Sequence, residues 1–391
     1  MVFRIEALPA KYGDCLFLTF GNGGDRPTRI LVDGGPPGVF NASLKIRLRK
    51  EQQAFQDEVP LKLDVVMVSH IDQDHINGII QLLDAMRDAD EQNVPRPYKP
   101  IWLLHNGFDA ILGEGEGTAA RDVGGPASLA SFGGPGPFAL ATEPDPVAAA
   151  VLQSYNEALK LGSLASFLQV TRNPPDQSLL TGDRAPMSVG DATLRILGPL
   201  DEQIEEFRNE WHEKLGPAGA GPAALAQYLD DSIPNLASIV ALLEYDGTTV
   251  LLTGDARGDV IIKACDKAGL IKNGKLKVDV LKVPHHGSDR DLETSFFEII
   301  EAKHYIISAN GHFGNPDRAS LEMLEQGTGN RKINVYLTVA AQGCDTQHEA
   351  WRSNKTIKYD PAIHAITPII QRWQQSNRIT VSNGAPIQID F

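Results

Sequence analysis

The chain is expected to form α/β layers with a single functional edge, and three observations carry that expectation. Apolar, β-branched runs recur along it, among them Arg29-Ile30-Leu31-Val32, Val65-Val66-Met67-Val68, Ile101–Leu104, Thr248–Leu252, Val278–Val283 and Tyr305–Ser308. Segments of helical spacing separate several of these runs, the alternation that parallel sheets require. Each run also hands over to polar residues: Asp33-Gly34-Gly35, His70 to His75, His105-Asn106-Gly107, Thr253-Gly254-Asp255, His285-His286-Gly287-Ser288 and Ala309-Asn310-Gly311-His312. Open α/β sheets build their sites just outside the carboxyl ends of their strands.

Taken in order, Phe3 to Leu8 alternates and Cys15 to Phe20 is apolar, so both read as strands joined through Lys11-Tyr12-Gly13-Asp14. An amphipathic helix is expected over about 42–55. A second, Asn77 to Arg87, gathers Ile79, Leu82, Leu83 and Met86 on one side. Residues 108–148 are rich in glycine, proline and alanine, and the stretch 108–190 reads as an insertion over the scaffold. Within it, Ala148 to Val170 returns to helical spacing. Asp191 to Leu197 reads as a strand, and about 200–214 as a helix. After the loose stretch Gly216–Pro222, Ile239–Glu244 and Thr248–Leu252 flank a Tyr245-Asp246-Gly247 hairpin turn. One domain over 1–391 is expected, with 355–391 as a C-terminal extension.

The 36 basic and 50 acidic residues give a net charge of −14, the opposite of the basic field of a generic nucleic-acid binder. Bound divalent cations invert local charge, so an anionic substrate stays open. The three cysteines, Cys15, Cys265 and Cys344, are far apart and form no CxxC pair, which suits a reducing compartment. The opening residues do not read as a signal peptide, and no apolar run reaches the roughly 18–20 residues that span a bilayer. A cytoplasmic protein without membrane contact is expected.

His70, Asp72, Asp74 and His75 bring two imidazoles and two carboxylates together within six residues at a strand end. Such crowding costs desolvation and repulsion unless cations neutralise it. A dinuclear site needs two ligand sets and a carboxylate that faces both ions. His70 and Asp72, two apart on extended chain, can hold one ion, and Asp74 and His75 the other. A carboxylate-heavy set without cysteine leaves room for water and looks catalytic rather than structural.

Together, His70-x-Asp72-x-Asp74-His75, Thr253-Gly254-Asp255 and His285-His286-Gly287-Ser288 resemble the metallo-β-lactamase fold superfamily. The similarity is to its branch related to the hydrolase domain of the DNA-uptake protein ComEC, which has HxDxDH where the superfamily usually has HxHxDH. Gly13-Asp14-Cys15, Asp33-Gly34-Gly35, Asn235-x-x-Ser238 and Ser308-Ala309-Asn310-Gly311 extend the likeness. The resemblance implies a four-layer αββα sandwich, two divalent metal ions, and Asp255 as the bridging ligand. One of His285 and His286 completes the second ion's sphere: His286 is preferred as ligand and His285 as a catalytic contact to substrate, with Asp74 orienting the attacking water. Asn235, Ser288, Asn310 and His312 are candidate substrate contacts, and Asp14 and Asp33 candidate partners of the ligating histidines. A further ligand histidine common in the superfamily has no counterpart; Asn235 or Asp231 occupies its region. The harder donor Asp72 widens the expected metals from zinc to manganese.

The expected activity is metal-dependent hydrolysis, with a phosphodiester of nucleic acid or a nucleotide as first choice. Lys282 and Arg290 are the basic residues expected near the mouth. Hydrolysis of a lactone, thioester, β-lactam or phosphorylcholine ester on the same scaffold is one alternative. A regulatory or scaffold protein with a vestigial site is the other.

Overall fold

The computed structural model describes residues 2–22, 26–56, 59–107, 110–111, 146–215 and 237–391. Strands β1 (Val2–Ala7), β2 (Leu16–Gly21), β3 (Thr28–Val32), β4 (Leu61–Met67), β5 (Tyr98–Leu104) and β6 (Thr171–Arg172) lie side by side in that order. The last strand, β15 (Ile387–Asp390), joins this sheet by pairing antiparallel to β1, with Ile5 opposite Ile389. The second sheet runs in chain order from β7 (Met187–Val189) through β8 (Ala192–Gly198), β9 (Val240–Tyr245), β10 (Thr248–Leu252), β11 (Leu276–Lys282), β12 (Ile300–Ile307) and β13 (Ile333–Leu337) to β14 (Ile379–Asn383). Both sheets open with antiparallel neighbours and continue with parallel ones: β3 to β6 in the first, β10 to β14 in the second.

Strand alternation sorts the side chains into three cores. Ile5, Leu18, Ile30, Val65 and Met67 of the first sheet meet Leu194, Ala241, Leu243, Val250 and Val280 of the second. Phe3 meets Tyr245 edge-on between the sheets, ring centres 5.7 Å apart. On the outer face of the first sheet, Leu31, Val66 and Leu103 pack with α1 (Lys45–Ala54), α2 (Gln73–Glu91), α3 (Pro146–Phe167) and α4 (Asp201–Leu215). On that of the second, Leu251, Leu281 and Val335 pack with α5 (Gly258–Lys267), α6 (Thr294–Ile299), α7 (Arg318–Gly327), α8 (Ala341–Asn354) and α9 (Thr367–Gln375). The result is the four-layer αββα sandwich that the resemblance implied.

Much of the expected insertion 108–190 lies outside the described residues, but its later part is woven into the fold. It supplies α3, β6 at the end of the first sheet, and β7 at the end of the second. Residues 355–391 supply α9, β14 and β15, which end both sheets on their other sides. The cysteines are buried and free. Among the described residues, no helix is long and apolar enough to cross a membrane.

Helix α2 carries the first motif, and its seating is tight. Ile76, Ile79, Ile80, Leu83 and Met86 form its buried stripe. Its first turns rest directly on the Asp33-Gly34-Gly35 turn: Gly34 N–H donates to the His75 carbonyl at 2.7 Å, and Gly78 N–H to that of Gly35 at 3.1 Å. A Cβ on Gly78 would stand 2.0 Å from Gly34 O. Gly78→Ala is therefore expected to lift α2 and cost at least about 1–3 kcal/mol, the range of overpacked sites, read as a lower denaturation midpoint.

Candidate metal centre

The carboxyl ends of β3, β4, β10, β11 and β12 meet at one edge together with the β1–β2 loop. Two contacts between the sheets draw the motifs together. Ile239 N–H donates to the Ser69 carbonyl at 2.8 Å. Gly254, at φ +51°, lies so near Ser69 that a Cβ there would be 2.9 Å from the Ser69 Cβ, which accounts for glycine between Thr253 and Asp255. Nearby, Asp14 N–H donates to the Asp74 carbonyl at 3.2 Å, and Ser308 Oγ to that of Gly13 at 2.6 Å.

Four side chains converge there. His75 Nε2 lies 3.1 Å from His286 Nε2, 3.4 Å from Asp255 Oδ1 and 3.8 Å from Asp74 Oδ1. His286 Nε2 lies 3.3 Å from both Asp74 Oδ2 and Asp255 Oδ2. A tetrahedral ion with bonds of about 2.0–2.2 Å separates its ligands by about 3.3–3.6 Å. The contacts that His75 and His286 make with each other and with these carboxylates are near those edges, although the two histidines face different oxygens of Asp74 and of Asp255. Among the described residues, two groups could hold a metal ion: the buried Asp14, His75, Asp255 and His286, and His70, Asp74 and His75. His70 Nε2 lies 3.6 Å from Asp72 Oδ2 and 3.8 Å from Asp255 Oδ2. Asp255 therefore faces both histidine groups. His70 Nε2 is buried without a hydrogen-bond partner among the described residues, as expected of a nitrogen awaiting a cation.

The outer nitrogens are anchored. Asp33, itself in a left-handed conformation (φ 58°), accepts from Ser69 N–H and Ser69 Oγ at 2.7 Å each, and its Oδ2 lies 2.9 Å from His75 Nδ1. His286 Nδ1 donates to the Ser308 carbonyl at 2.9 Å and lies 3.5 Å from Asp14 Oδ1. These contacts leave each Nε2 aimed inward. Asp14 is also paired with Lys282 Nζ, which reaches 3.6 Å from Asp255 Oδ1 and donates to the Gly254 carbonyl at 3.1 Å. Lys282 is 2% exposed, which corrects its expected place at the mouth: it is a buried counter-charge behind the cluster. Sequence reasoning missed this role, although a lysine ending an otherwise apolar strand was a usable signal. Arg290 is exposed.

Burial opposes charge on every member, yet the members' mutual attraction prevails. Asp255 is held well below the usual carboxylate range by the His286, His75, His285 and Lys282 charges that outweigh its desolvation. Asp14, near Lys282 and His286, and Asp74, near His75 and His286, are lowered likewise. Reciprocally, the carboxylates of Asp255, Asp33 and Asp74 overcome burial to raise His75, and those of Asp255 and Asp14 raise His286.

His285, His286 and Gly287 occupy left-handed conformations in succession (φ 47°, 55° and 80°). Gly287 C=O is clamped by Asp317 N–H at 2.9 Å and by Ser320 Oγ. The turn sends the two imidazoles different ways. His286 is buried, whereas the His285 side chain is 22% exposed, with Nδ1 2.7 Å from Asp291 Oδ2 and Nε2 3.9 Å from Asp255 Oδ2. Asp317 Oδ2 accepts from Asp289 N–H at 3.1 Å. Burial and the Asp289 carboxylate push the Asp317 carboxyl up to about 6.

Of the other expected contacts, Ser288 is buried, Asn310 Oδ1 accepts from His312 N–H at 2.9 Å, and His312 stacks on Tyr12 with ring centres 5.2 Å apart. Asn235 and Asp231 lie outside the described residues. His105 is buried, both its ring nitrogens lack hydrogen-bond partners among the described residues, and burial with nearby Arg172 lowers it to about 3.

No family model and no curated protein matches the chain. Among solved structures, it is 10% identical to a diphosphatase of the PhnP family, over 100% of this chain and 98% of that one, with a TM-score of 0.37. It is 12% identical to a proposed metal-dependent hydrolase from Parabacteroides distasonis, over 84% and 90% of the two chains, with a TM-score of 0.34. It is 14% identical to CmlA, a diiron β-hydroxylase from Streptomyces venezuelae, over 100% of this chain and 54% of CmlA, with a TM-score of 0.37. Likenesses at this level do not extend to residues or reactions.

Divalent cations are expected to raise the melting temperature, by the equivalent of about 2.7 kcal/mol at a hundredfold excess over Kd. Asp255→Asn should remove most of that rise, since Asp255 faces both donor groups. A separate effect is expected from Asp317. Its folded-state pKa lies above the unfolded value, so its contribution to stability is present at low pH and is lost as pH rises through about 6. Asp317→Asn should therefore stabilise the chain at pH 8 relative to wild type and lose that advantage near pH 4, as read from denaturant melts.

Proposed function

We propose that the chain is a metal-dependent hydrolase with a dinuclear centre, acting on phosphodiesters of nucleic acid or nucleotides. The observation that carries the reading is the set of 3.1–3.8 Å contacts that His75 and His286 make with each other and with Asp74 and Asp255, with His70 beside His75 and 3.8 Å from Asp255 Oδ2, and Asp72 next to His70. In this reading Asp74, His75, Asp255 and His286 hold one ion, and His70, Asp72 and Asp255 the other. Zinc and manganese both suit this mixture of imidazole and carboxylate. Bound cations supply Lewis acidity and lower the pKa of water toward about 7, which makes hydrolysis feasible at neutral pH.

The chain's own groups divide the remaining work. Asp74, 22% exposed where Asp255 is 4%, is the ligand carboxylate of this set that reaches toward solvent, and it is placed to orient water. His285, oriented by Asp291, presents Nε2 toward the cluster and can donate a proton to the departing oxygen. Lys282 keeps Asp14 and Asp255 ionised and in position.

The test is a panel of single-stranded DNA, RNA, cyclic dinucleotides, and lactone and ester substrates, run with zinc and with manganese. Turnover of at least one phosphodiester is expected, and Asp255→Asn should lower it by orders of magnitude. His285→Ala should keep the wild-type metal content while kcat falls about 10²–10⁴-fold, the usual contribution of a positioned acid. Ready cleavage of esters or lactones with every phosphodiester left intact would replace this reading by a small-substrate hydrolase.

A further inference from the structure

We infer that Tyr12, His312 and Phe313 form a stacking subsite for an unpaired nucleobase, so that the substrate is a nucleotide or single-stranded nucleic acid rather than a duplex. The inference rests on the phosphodiesterase reading and adds the part of the substrate that is gripped. Tyr12 precedes the Gly13-Asp14 segment that is hydrogen-bonded to Asp74 and Ser308. Its phenol is raised first by burial and then by the Asp74 charge, so the ring stands within electrostatic reach of the metal cluster. His312 stacks on it, ring centres 5.2 Å apart and planes inclined by 29°. Phe313 meets both edge-on, at 5.3 Å from Tyr12 and 4.3 Å from His312, and Trp351 lies 6.2 Å behind it.

Phe313 is the anomaly. The residue is 53% exposed, and its backbone is left-handed at φ 63°, a conformation that bulky residues seldom adopt. The fold therefore holds a large apolar ring out of its core at a conformational cost, beside the centre where the chemistry is proposed. Strain retained in this way clusters at active sites and ligand clamps. Charge selects the occupant. A chain of net charge −14 does not grip a phosphate backbone through a general basic field. Stacking on aromatic faces supplies affinity without charge, serves any base, and requires that the base be unpaired. His312 suits this use because burial lowers its pKa, leaving a flat neutral ring.

The test compares adenosine 5′-monophosphate with ribose 5-phosphate on the full chain, first without metal, by isothermal titration calorimetry, with intrinsic tryptophan fluorescence, to which Trp351 contributes, as a second readout. The nucleotide should bind well above the sugar phosphate. Phe313→Asn, which keeps a residue tolerant of the left-handed conformation, should weaken nucleotide binding about 5- to 100-fold, the loss typical of removing a base-stacking ring, and leave ribose 5-phosphate unchanged. Phe313→Tyr should restore the wild-type affinity. With metal, Phe313→Asn should raise KM for a single-stranded oligonucleotide but not for the same strand with abasic residues at the cleavage site. Equal binding of the two ligands, equal quenching by phosphorylcholine, or nucleotide binding unaffected by Phe313→Asn would overturn the subsite. Discrimination in binding with no phosphodiester turnover would leave the subsite standing and remove the hydrolase reading.

Discussion

Asp14, Asp33 and Asp255 are buried together with Asp74 at their solvent side, and such a concentration of negative charge does not persist in a protein interior without positive charge set among it. Lys282 supplies part of that charge, and two inward-facing imidazoles supply more while they carry protons. The fold is arranged around this demand. Each sheet delivers carboxylates and imidazoles on the carboxyl ends of its strands, and glycine at 254 lets those ends approach across the sandwich. Burial intensifies both the repulsion among carboxylates and the attraction that relieves it. The same arrangement that would be costly without cations is what would make them bind firmly.

Support for the cluster comes from a second circle of contacts that fixes rings rather than charge. Asp33 holds the outer nitrogen of His75, and the Ser308 carbonyl that of His286. Ser69 reaches Asp33 and lies 3.2 Å from Nδ1 of both His70 and His75, so one hydroxyl links the two donor groups. Substitutions here are expected to act on ligand orientation more than on overall fold.

How far the sequence revealed this follows from where each determinant sits along the chain. The first motif is legible because its chemistry and its strand are adjacent, and the central strands because their runs are apolar and short. The preference for His286 as the inward histidine and His285 as the outward one came with the resemblance, since consecutive left-handed residues leave no mark in composition. Lys282 was placed at the mouth because a lysine is normally solvated; its burial depends on Asp14, 268 residues earlier by the numbering, and on Asp255. Strand β15 was hidden for a similar reason, its partner being β1 at the opposite end of the numbering. Asp33 and Asp14 were readable as partners of histidines through the resemblance alone, because nothing local distinguishes them from turn residues.

The backbone at 285–287 also bears on how such a chain can drift over evolutionary time. Three successive left-handed residues accept glycine, asparagine or aspartate with least penalty and exclude valine, isoleucine and threonine almost wholly. A descendant that had abandoned its chemistry would be free to lose the imidazoles but not the turn. Its sequence should then carry small or amide-bearing residues at these positions, so that decay of the activity would leave a narrow signature instead of random replacement.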